Sequence, residues 1–269
     1  MLDATSPTCA ACGAPLERVR YFPRQLITAD DMRTEQHYVL ERLKRHNRFL
    51  HGFGVVCGCQ VVAAPTDASP WLVQICPGYA VAPPGDEIFI PDPVTFDLQT
   101  GVQAPDPCTV AWPCPPVPVG AANAQQLVGY LCIAHAECVT RPVRVHPAGC
   151  GCDQLDCEYS RIRDAYQLKL LWTLPPSHTA AKAWDSAWAA TLTKSRELLR
   201  QGGLPVPPCM ACSDDGWVVL ATIAIPPTQG IGTQATKTPI ASANISFLDR
   251  RVLLSTGALQ VMTETFAGV

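Results

Sequence analysis

One stretch, residues 21–62, constrains the fold more than any other part of this chain, because it holds a helix start, a helical period and a strand in succession. Thr28 followed three residues later by Asp31 is a capping-box pattern, which predicts that a helix begins directly after Thr28. Gly52 stands where a left-handed C-terminal cap is needed, and the β-branched run that follows indicates a strand. The stretch therefore predicts a helix, a tight stop and a strand.

The predicted helix carries one stripe of apolar and neutral side chains. Its positions recur at alternating spacings of four and three residues, with Leu40 beside them, and most charged side chains fall elsewhere on the helix. The stripe consists of Met32, Gln36, Val39, Leu43, His46 and Leu50. This spacing predicts a solvated helix with one buried face.

The segment HNRFLHG, residues 46–52, concentrates two imidazoles and a guanidinium at the end of the predicted helix. The last carbonyl groups of a helix lack partners within the helix, and His, Asn and Arg side chains satisfy them well. Capping and packing therefore explain the cluster better than a catalytic role, and the sequence leaves both open.

Two blocks of the chain combine unusual residues in a distinctive order. The first runs from Tyr21 to Cys57 and contains YFPRQLITADDM, RLKRHNRFLHG and GVVCG, and the second is CEYSRIRDAY at residues 157–166. Together they cover about a fifth of the chain, and they resemble an uncharacterised family encoded among the parts of phage-tail-like extracellular contractile injection systems. The resemblance implies a structural subunit in the baseplate, at a fibre attachment or at the tail end. Its partners would then be other subunits of the particle, further copies of this chain among them.

The composition excludes several classes of partner. The 269 residues carry a formal net charge of −3, without the basic patch that nucleic acid or an acidic membrane surface would require. The chain begins MLDATSPTCAACG, which is not a secretory signal, and no apolar run approaches the roughly 18 residues of a membrane span. We expect the chain to be made and folded in the cytoplasm and to leave the cell only within an assembled particle.

The 14 cysteines need an explanation in a reducing compartment, which favours metal thiolates or buried thiols over disulfides. Cys9 and Cys12 form a C-x-x-C knuckle, and Cys209 and Cys212 repeat the spacing far downstream. These four thiolates match a tetrahedral structural zinc site that would pin the N-terminus to a late loop. The alternative is two surface loops with free or disulfide-bonded thiols.

A second thiolate site is predicted from the densest cysteine cluster, in the loop PAGCGCDQLDCEYS. Its candidate ligands are Cys150, Cys152 and Cys157 with either Cys57 or Cys59, and Cys138 is the spare. The alternative is a loop of free thiols. Structural zinc is the only cofactor that the sequence predicts.

A zinc deaminase offers an enzymatic alternative. His135 and Glu137, taken with Cys209 and Cys212, match the deaminase pattern, in which one His and two Cys bind zinc and the Glu transfers protons. In that class both half-motifs begin helices, whereas here the HAE segment is predicted to end a strand and the second cysteine pair leads into another strand. The context therefore argues against the enzyme.

The remainder of the chain favours short strands. PPGD between GYAVA and EIFI predicts a hairpin turn, and WVVLATIAI, residues 217–225, is the strongest strand. ISFLDRRVLL and residues 259–266 suggest a last strand pair, or a strand and a tail. Arg161 and Arg163 are expected to pair with carboxylates against the first helix, an anion site being the alternative. Trp184 and Trp188, one helical turn apart, form either core or an assembly surface.

Taken together, these patterns predict an α+β protein that is mainly β, with antiparallel strands, two long helices and zinc-thiolate staples. The expected organisation is one β-rich body over residues 1–269, with a zinc-knuckle N-terminus at 1–20, a helix-strand core unit at 21–62 and an inserted helix at 177–203. The helices are predicted at Ala29–Leu50 and Thr179–Gln201. The expected function is a structural subunit acting through protein-protein contacts, with no catalytic residues. A free-standing zinc-stapled binding module is the third alternative, beside the deaminase.

Overall fold

The computed structural model describes residues 15–106, 127–145, 156–195, 200–201, 203, 205–207, 209–210, 213, 215–226, 228–229 and 236–266. Within them lie three α-helices: α1 Ala29–His46, α2 Pro176–Lys194 and α3 Thr256–Phe266. A π-helical turn, Asn47–His51, continues α1, and a 3-10 turn spans Ser242–Asn244.

Thirteen strands are assigned in the same residues. They are β1 Gly54–Gly58, β2 Val61–Ala63, β3 Leu72–Ile75, β4 Gly78–Val81, β5 Glu87–Ile90, β6 Val94–Asp97, β7 Gln103–Ala104, β8 Leu127–Val145, β9 Asp156–Leu171, β10 Val218–Ile225, β11 Thr228–Gln229, β12 Thr236–Lys237 and β13 Ile245–Ser246.

The strands form antiparallel sheets, so the predicted α+β class with mainly antiparallel strands is confirmed. Their orders are β1-β4-β5, β2-β3-β6-β7 and β13-β10-β8-β9, with a small β11-β12 pair. The PPGD turn joins β4 to β5 as predicted, and the Ala82 amide donates to the Asp86 carbonyl across it at 2.8 Å. Alternating side chains from these sheets build one core, with Phe96, Ile88, Leu131 and Leu220 among its fully buried members.

The helix count differs from the prediction, because residues 259–266 lie in α3 and not in a strand. The hydroxyl of Ser255 accepts a hydrogen bond from the Ala258 amide at 3.2 Å, in the manner of an N-cap. Leu259, Met262 and Phe266 are spaced by three and four residues, which suits a helix better than the alternation of a strand. The local capping signal outweighed the apolar content on which the strand prediction rested.

Strand β8 is longer than predicted and pairs with β9 to form a long two-stranded hairpin, the β8–β9 ribbon. The pairing runs from Tyr130 opposite Leu171 to Val145 opposite Asp156. Strand β10 pairs with β8 only between Leu127 and Ile133. Beyond that point the ribbon leaves the sheet, and the strand predicted to end at the HAE segment continues for another eight residues past Glu137.

The first helix begins as predicted and differs in its burial. The Thr28 hydroxyl accepts from the Asp31 amide at 3.2 Å, and the Thr28 amide donates to the Asp31 carboxylate at 2.8 Å. Gly52 ends the helical stretch with φ +80°. None of the 18 residues of α1, all of them described, is buried. The prediction of one buried face was therefore wrong, because the period identifies a contact face without showing that the chain itself covers that face.

Candidate functional site: exposed contact surfaces and thiolate sites

The α1 stripe, defined as Met32, Gln36, Val39, Leu40, Leu43, His46 and Leu50, faces solvent along its whole length. The exposed fractions are 52% for Met32, 57% for Val39 and 45% for Leu43. Side chains on the far side of the helix are partly covered, as at Tyr38, whose ring lies 5.9 Å from the Arg18 guanidinium. Contiguous apolar surface of this kind marks interaction sites in soluble proteins.

Helix α1 is attached to the sheets at its C-terminal end. The buried side-chain amide of Asn47 donates to the Gly85 carbonyl at 3.0 Å, and the Lys44 ammonium pairs with the Asp86 carboxylate at 2.8 Å. A Cβ atom on Gly85 would lie 2.2 Å from the Lys44 carbonyl oxygen, so helix and turn are in direct backbone contact. The residues of the HNRFLHG cluster thus include a packing anchor at Asn47, in line with the capping-and-packing explanation.

The β8–β9 ribbon is the second exposed surface. Val139 and Ile162 are cross-strand partners whose side chains are 53% and 64% exposed. Past Ile133 the β8 edge has no strand partner besides β9 among the described residues. Unpaired backbone groups on a strand edge can pair with another chain, so the ribbon offers both apolar and hydrogen-bonding contacts.

Two arginines on the ribbon correct a further expectation. Arg161 and Arg163 are exposed on β9, opposite Thr140 and Cys138, and do not lie buried against α1. The neighbouring Asp164 carboxylate instead lies 3.7 Å from the His135 imidazole. The sequence predicted a buried pair because arginines and a carboxylate lie close together in it. In the structure these residues lie on an extended ribbon, and the two arginines are exposed.

The tryptophans of α2 are half-buried and stacked on each other. The ring centroids of Trp184 and Trp188 are 6.4 Å apart with an interplanar angle of 27°. Helix α2 is held to the body by its N-terminal half, where Asp185 forms a two-point ion pair with Arg251 at 2.5 and 3.0 Å. Each tryptophan is thus partly covered and partly exposed, which matches neither the predicted core nor a fully exposed assembly surface.

The first predicted zinc site falls largely outside the described residues. Cys9, Cys12 and Cys212 lie outside them, and Cys209 is exposed with a free thiol. Within the described part of the chain, no group of three or more His, Cys, Asp or Glu side chains is placed to hold a metal ion. The four-thiolate site therefore stays a prediction.

The structure describes two of the candidate ligands of the second predicted site, Cys57 and Cys59. Cys150, Cys152 and the side chain of Cys157 lie outside the described residues. Cys57 is exposed, whereas Cys59 is fully buried and follows the positive-φ residue Gly58. Burial raises the pKa of the Cys59 thiol to about 11, so without a bound metal this thiol is protonated at neutral pH. Both cysteines have free thiols, and both stay candidate ligands of the second site.

Cys138, the spare candidate, is buried and disulfide-bonded. A sulfur held in a disulfide supplies no thiolate, so this residue drops out of the second ligand set. The sequence offered no signal for this, because the fourteen cysteines allow many pairings and spacing alone does not choose between them.

Of the deaminase residues, Cys212 lies outside the described residues and Cys209 is exposed with a free thiol. His135 lies within β8, with its two ring nitrogens 3.9 Å from Asp86 and 3.7 Å from Asp164. Glu137 follows on the same face of the strand. A strand interior, and not the start of a helix, carries this half of the motif.

Sequence reasoning missed a buried polar group at the start of α2. The Ser177 hydroxyl donates to the Asp215 carboxylate at 3.0 Å, and the His178 Nε2 atom accepts from the Val219 amide at 3.1 Å. Burial lowers the pKa of His178 to about 4, against the opposing field of Asp215. Ser177 and His178 therefore anchor the helix through separate partners, and they do not form a nucleophile-base pair with each other. Ser177 and Asp215 lie 38 residues apart in the chain, so no local sequence pattern indicates that they meet.

A small pocket of about 170 Å³ adjoins this anchor. Arg48, Phe53, Pro83, Ser177 and Met210 are among its lining residues. The Arg48 Nε atom is buried and has no hydrogen-bond partner in the described structure, and its guanidinium stacks 5.0 Å from the Phe49 ring. Among the described residues the lining is therefore mainly apolar, with the Arg48 guanidinium and the side chains of Ser177 and Ser213 as its polar groups.

In the described residues no helix is long and apolar enough to cross a membrane. Comparison with models of known protein families and with curated proteins finds no match to this chain.

Proposed function

We propose that this protein is a structural subunit that works through protein-protein contacts. The observation that carries the proposal is the α1 stripe, an apolar surface on a capped helix of which no residue is buried. Exposed apolar side chains cost free energy in water unless a partner covers them, at roughly 25 cal/mol per Å². A stripe repeated over five helical turns is what a partner surface requires.

The kind of assembly we propose is a phage-tail-like contractile injection particle, in its baseplate, fibre attachment or tail end. Support comes from the two sequence blocks that resemble that family. The first block spans α1 and the π-helical turn Asn47–His51, which contains the anchor residue Asn47. The β8–β9 ribbon supplies a second surface, since in the described part of the chain β8 past Ile133 has no strand partner besides β9, and such an edge suits strand addition to a neighbouring subunit.

The proposal is tested in cells that produce such a particle and carry a tagged copy of this chain. Intact particles are isolated by density sedimentation, and their subunits are identified by mass spectrometry. We expect the chain in the particle fraction and its Val39→Glu variant only in the soluble fraction, because a carboxylate in the α1 stripe would be buried without a partner.

His37→Glu is the matched control, since His37 is exposed on α1 outside the stripe. It should enter particles like the unmodified chain. Absence of the unmodified chain from all particle fractions, with the chain folded and monodisperse on its own, would contradict the proposal.

A further inference from the structure

The α1 stripe has the spacing of a coiled-coil contact. Six of its positions, from Met32 to Leu50, alternate by four and three residues, which is the heptad spacing of a helix that packs on one other helix. Among the described residues, Asn47 and Lys44 anchor α1 to the sheets at its C-terminal end. The rest of the stripe is accessible from the side.

The charges of α1 are divided between its two halves. Residues 29–37 contain three carboxylates and one guanidinium, and residues 38–46 contain three cations and one carboxylate. Asp30 with Arg33 and Glu41 with Lys44 form pairs within the helix, at 2.6 and 3.7 Å. Over its whole length, the helix therefore has an acidic N-terminal half and a basic C-terminal half.

Compensation of the helix dipole accounts for only part of this division. The dipole acts within the first and last turns, where Asp31 caps the helix and Arg45 lies near its end. Glu35 and Arg42 lie further inside and flank the stripe directly, each one residue before a stripe position. One Glu35 carboxylate oxygen is buried and has no hydrogen-bond partner among the described residues.

From this arrangement we infer that α1 pairs antiparallel with α1 of a second copy of this chain. In a parallel pair the acidic halves would face each other, whereas an antiparallel pair sets each acidic half against a basic half. Full overlap of the 18-residue helices places Ala29 opposite His46 of the second copy. It also places Met32 opposite Leu43 of the second copy and brings Glu35 beside Arg42 of the second copy.

The pair is expected to be weak by itself. A helix of 18 residues is about 27 Å long at 1.5 Å per residue, so two of them bury an area at the low end of protein interfaces. Association should therefore depend on concentration, and it should weaken at high salt because charged side chains contribute to it. The inference rests on the proposed function, in that it names the partner of the same contact surface.

The test is sedimentation equilibrium of the full chain over a wide range of concentration. We expect a monomer-dimer equilibrium for the unmodified chain and a monomer for Leu43→Glu, whose circular dichroism should stay unchanged because Leu43 is exposed. His37→Glu, outside the stripe, should dimerise like the unmodified chain. A monomer at every concentration, or a dimer that survives Leu43→Glu, would overturn the inference.

A charge exchange then tests the antiparallel direction. Glu35→Arg alone and Arg42→Glu alone should each weaken the dimer at least tenfold, because each puts like charges side by side. The double variant restores opposite charges only if residue 35 faces residue 42 of the second copy, so it should recover the affinity. A double variant no better than the single ones would refute the antiparallel pair.

The outcomes separate this inference from the proposed function. A chain that stays monomeric in solution and still enters particles through Val39 refutes the pairing and leaves the structural role standing. A chain that dimerises through α1 and never enters particles supports the pairing and refutes the proposed role in the particle.

Discussion

At the scale of single residues, His178 is a buried ionisable group, which is 2% exposed and accepts a hydrogen bond from the Val219 amide. The neutral imidazole fits this role, because protonation of Nε2 would leave two donors facing each other and a charge without solvent. Burial accordingly lowers its pKa to about 4, while Asp215 pulls in the opposite direction.

This depressed pKa predicts an acid-sensitive fold. Because the pKa of histidine falls from about 6.5 unfolded to about 4 folded, the unfolded chain binds the extra proton first, and stability falls as the pH drops from 6.5 towards 4. The loss approaches about 3 kcal/mol at 1.4 kcal/mol per pH unit. Urea unfolding at a series of pH values measures it.

The matched variants isolate this contribution from the carboxylates that titrate in the same range. His178→Gln keeps a neutral acceptor for the Val219 amide and should lose the slope between pH 6.5 and 4. His37→Gln, at an exposed position of α1, should keep it. Equal slopes in His178→Gln and the unmodified chain would show that His178 does not titrate on unfolding.

At the scale of elements, α1 and the β4–β5 turn meet at Gly85, whose φ is +101°. Gly85→Ala would place a Cβ atom 2.2 Å from the Lys44 carbonyl and force a left-handed conformation on alanine. We expect a loss of roughly 2 kcal/mol or more in the free energy of unfolding, measured in urea.

Gly216→Ala is the control for this substitution. A Cβ atom at Gly216 would meet no neighbouring atom within 4 Å, and Gly216 has no positive φ. Gly216→Ala should therefore change the free energy of unfolding by no more than about 0.5 kcal/mol. Should both glycine variants lose the same stability, the backbone contact between helix and turn would not be what anchors α1.

How far the elements could be predicted depends on how local their causes are. The Thr28 cap, the PPGD turn and the apolar β10 strand are set by neighbouring residues, and the sequence predicted all three. The end of β8 is set by its partner β9, which continues the pairing through Pro142 to Val145. Whether the α1 stripe is exposed depends on whether the sheets pack against it. The spacing of apolar residues within the helix does not show this.

At the scale of the whole molecule, the first predicted zinc site would join the N-terminus to a late loop. Protein purified without added metal should contain about one or two zinc ions per chain. Cys209→Ser should lose part of that zinc and stability with it, because structural zinc contributes directly to folding. Elemental analysis by mass spectrometry gives the content.

His135→Ala is the discriminating variant for the metal. Its ring faces Asp86 and Asp164, so its removal should leave the zinc content unchanged. Loss of zinc in His135→Ala would instead assign the metal to the deaminase set of His135, Cys209 and Cys212. A metal-free, folded chain would refute both zinc sites.

The one-ended attachment of α1 also has a consequence for local unfolding. A helix whose apolar face lies outside the core gains little from the cooperative stability of the sheets, and an isolated helix of this length is marginal in water. Its amide hydrogens should therefore exchange with solvent through openings that leave the sheets intact. Whatever covers the stripe then does more than hold two molecules together, because it also fixes the helix itself.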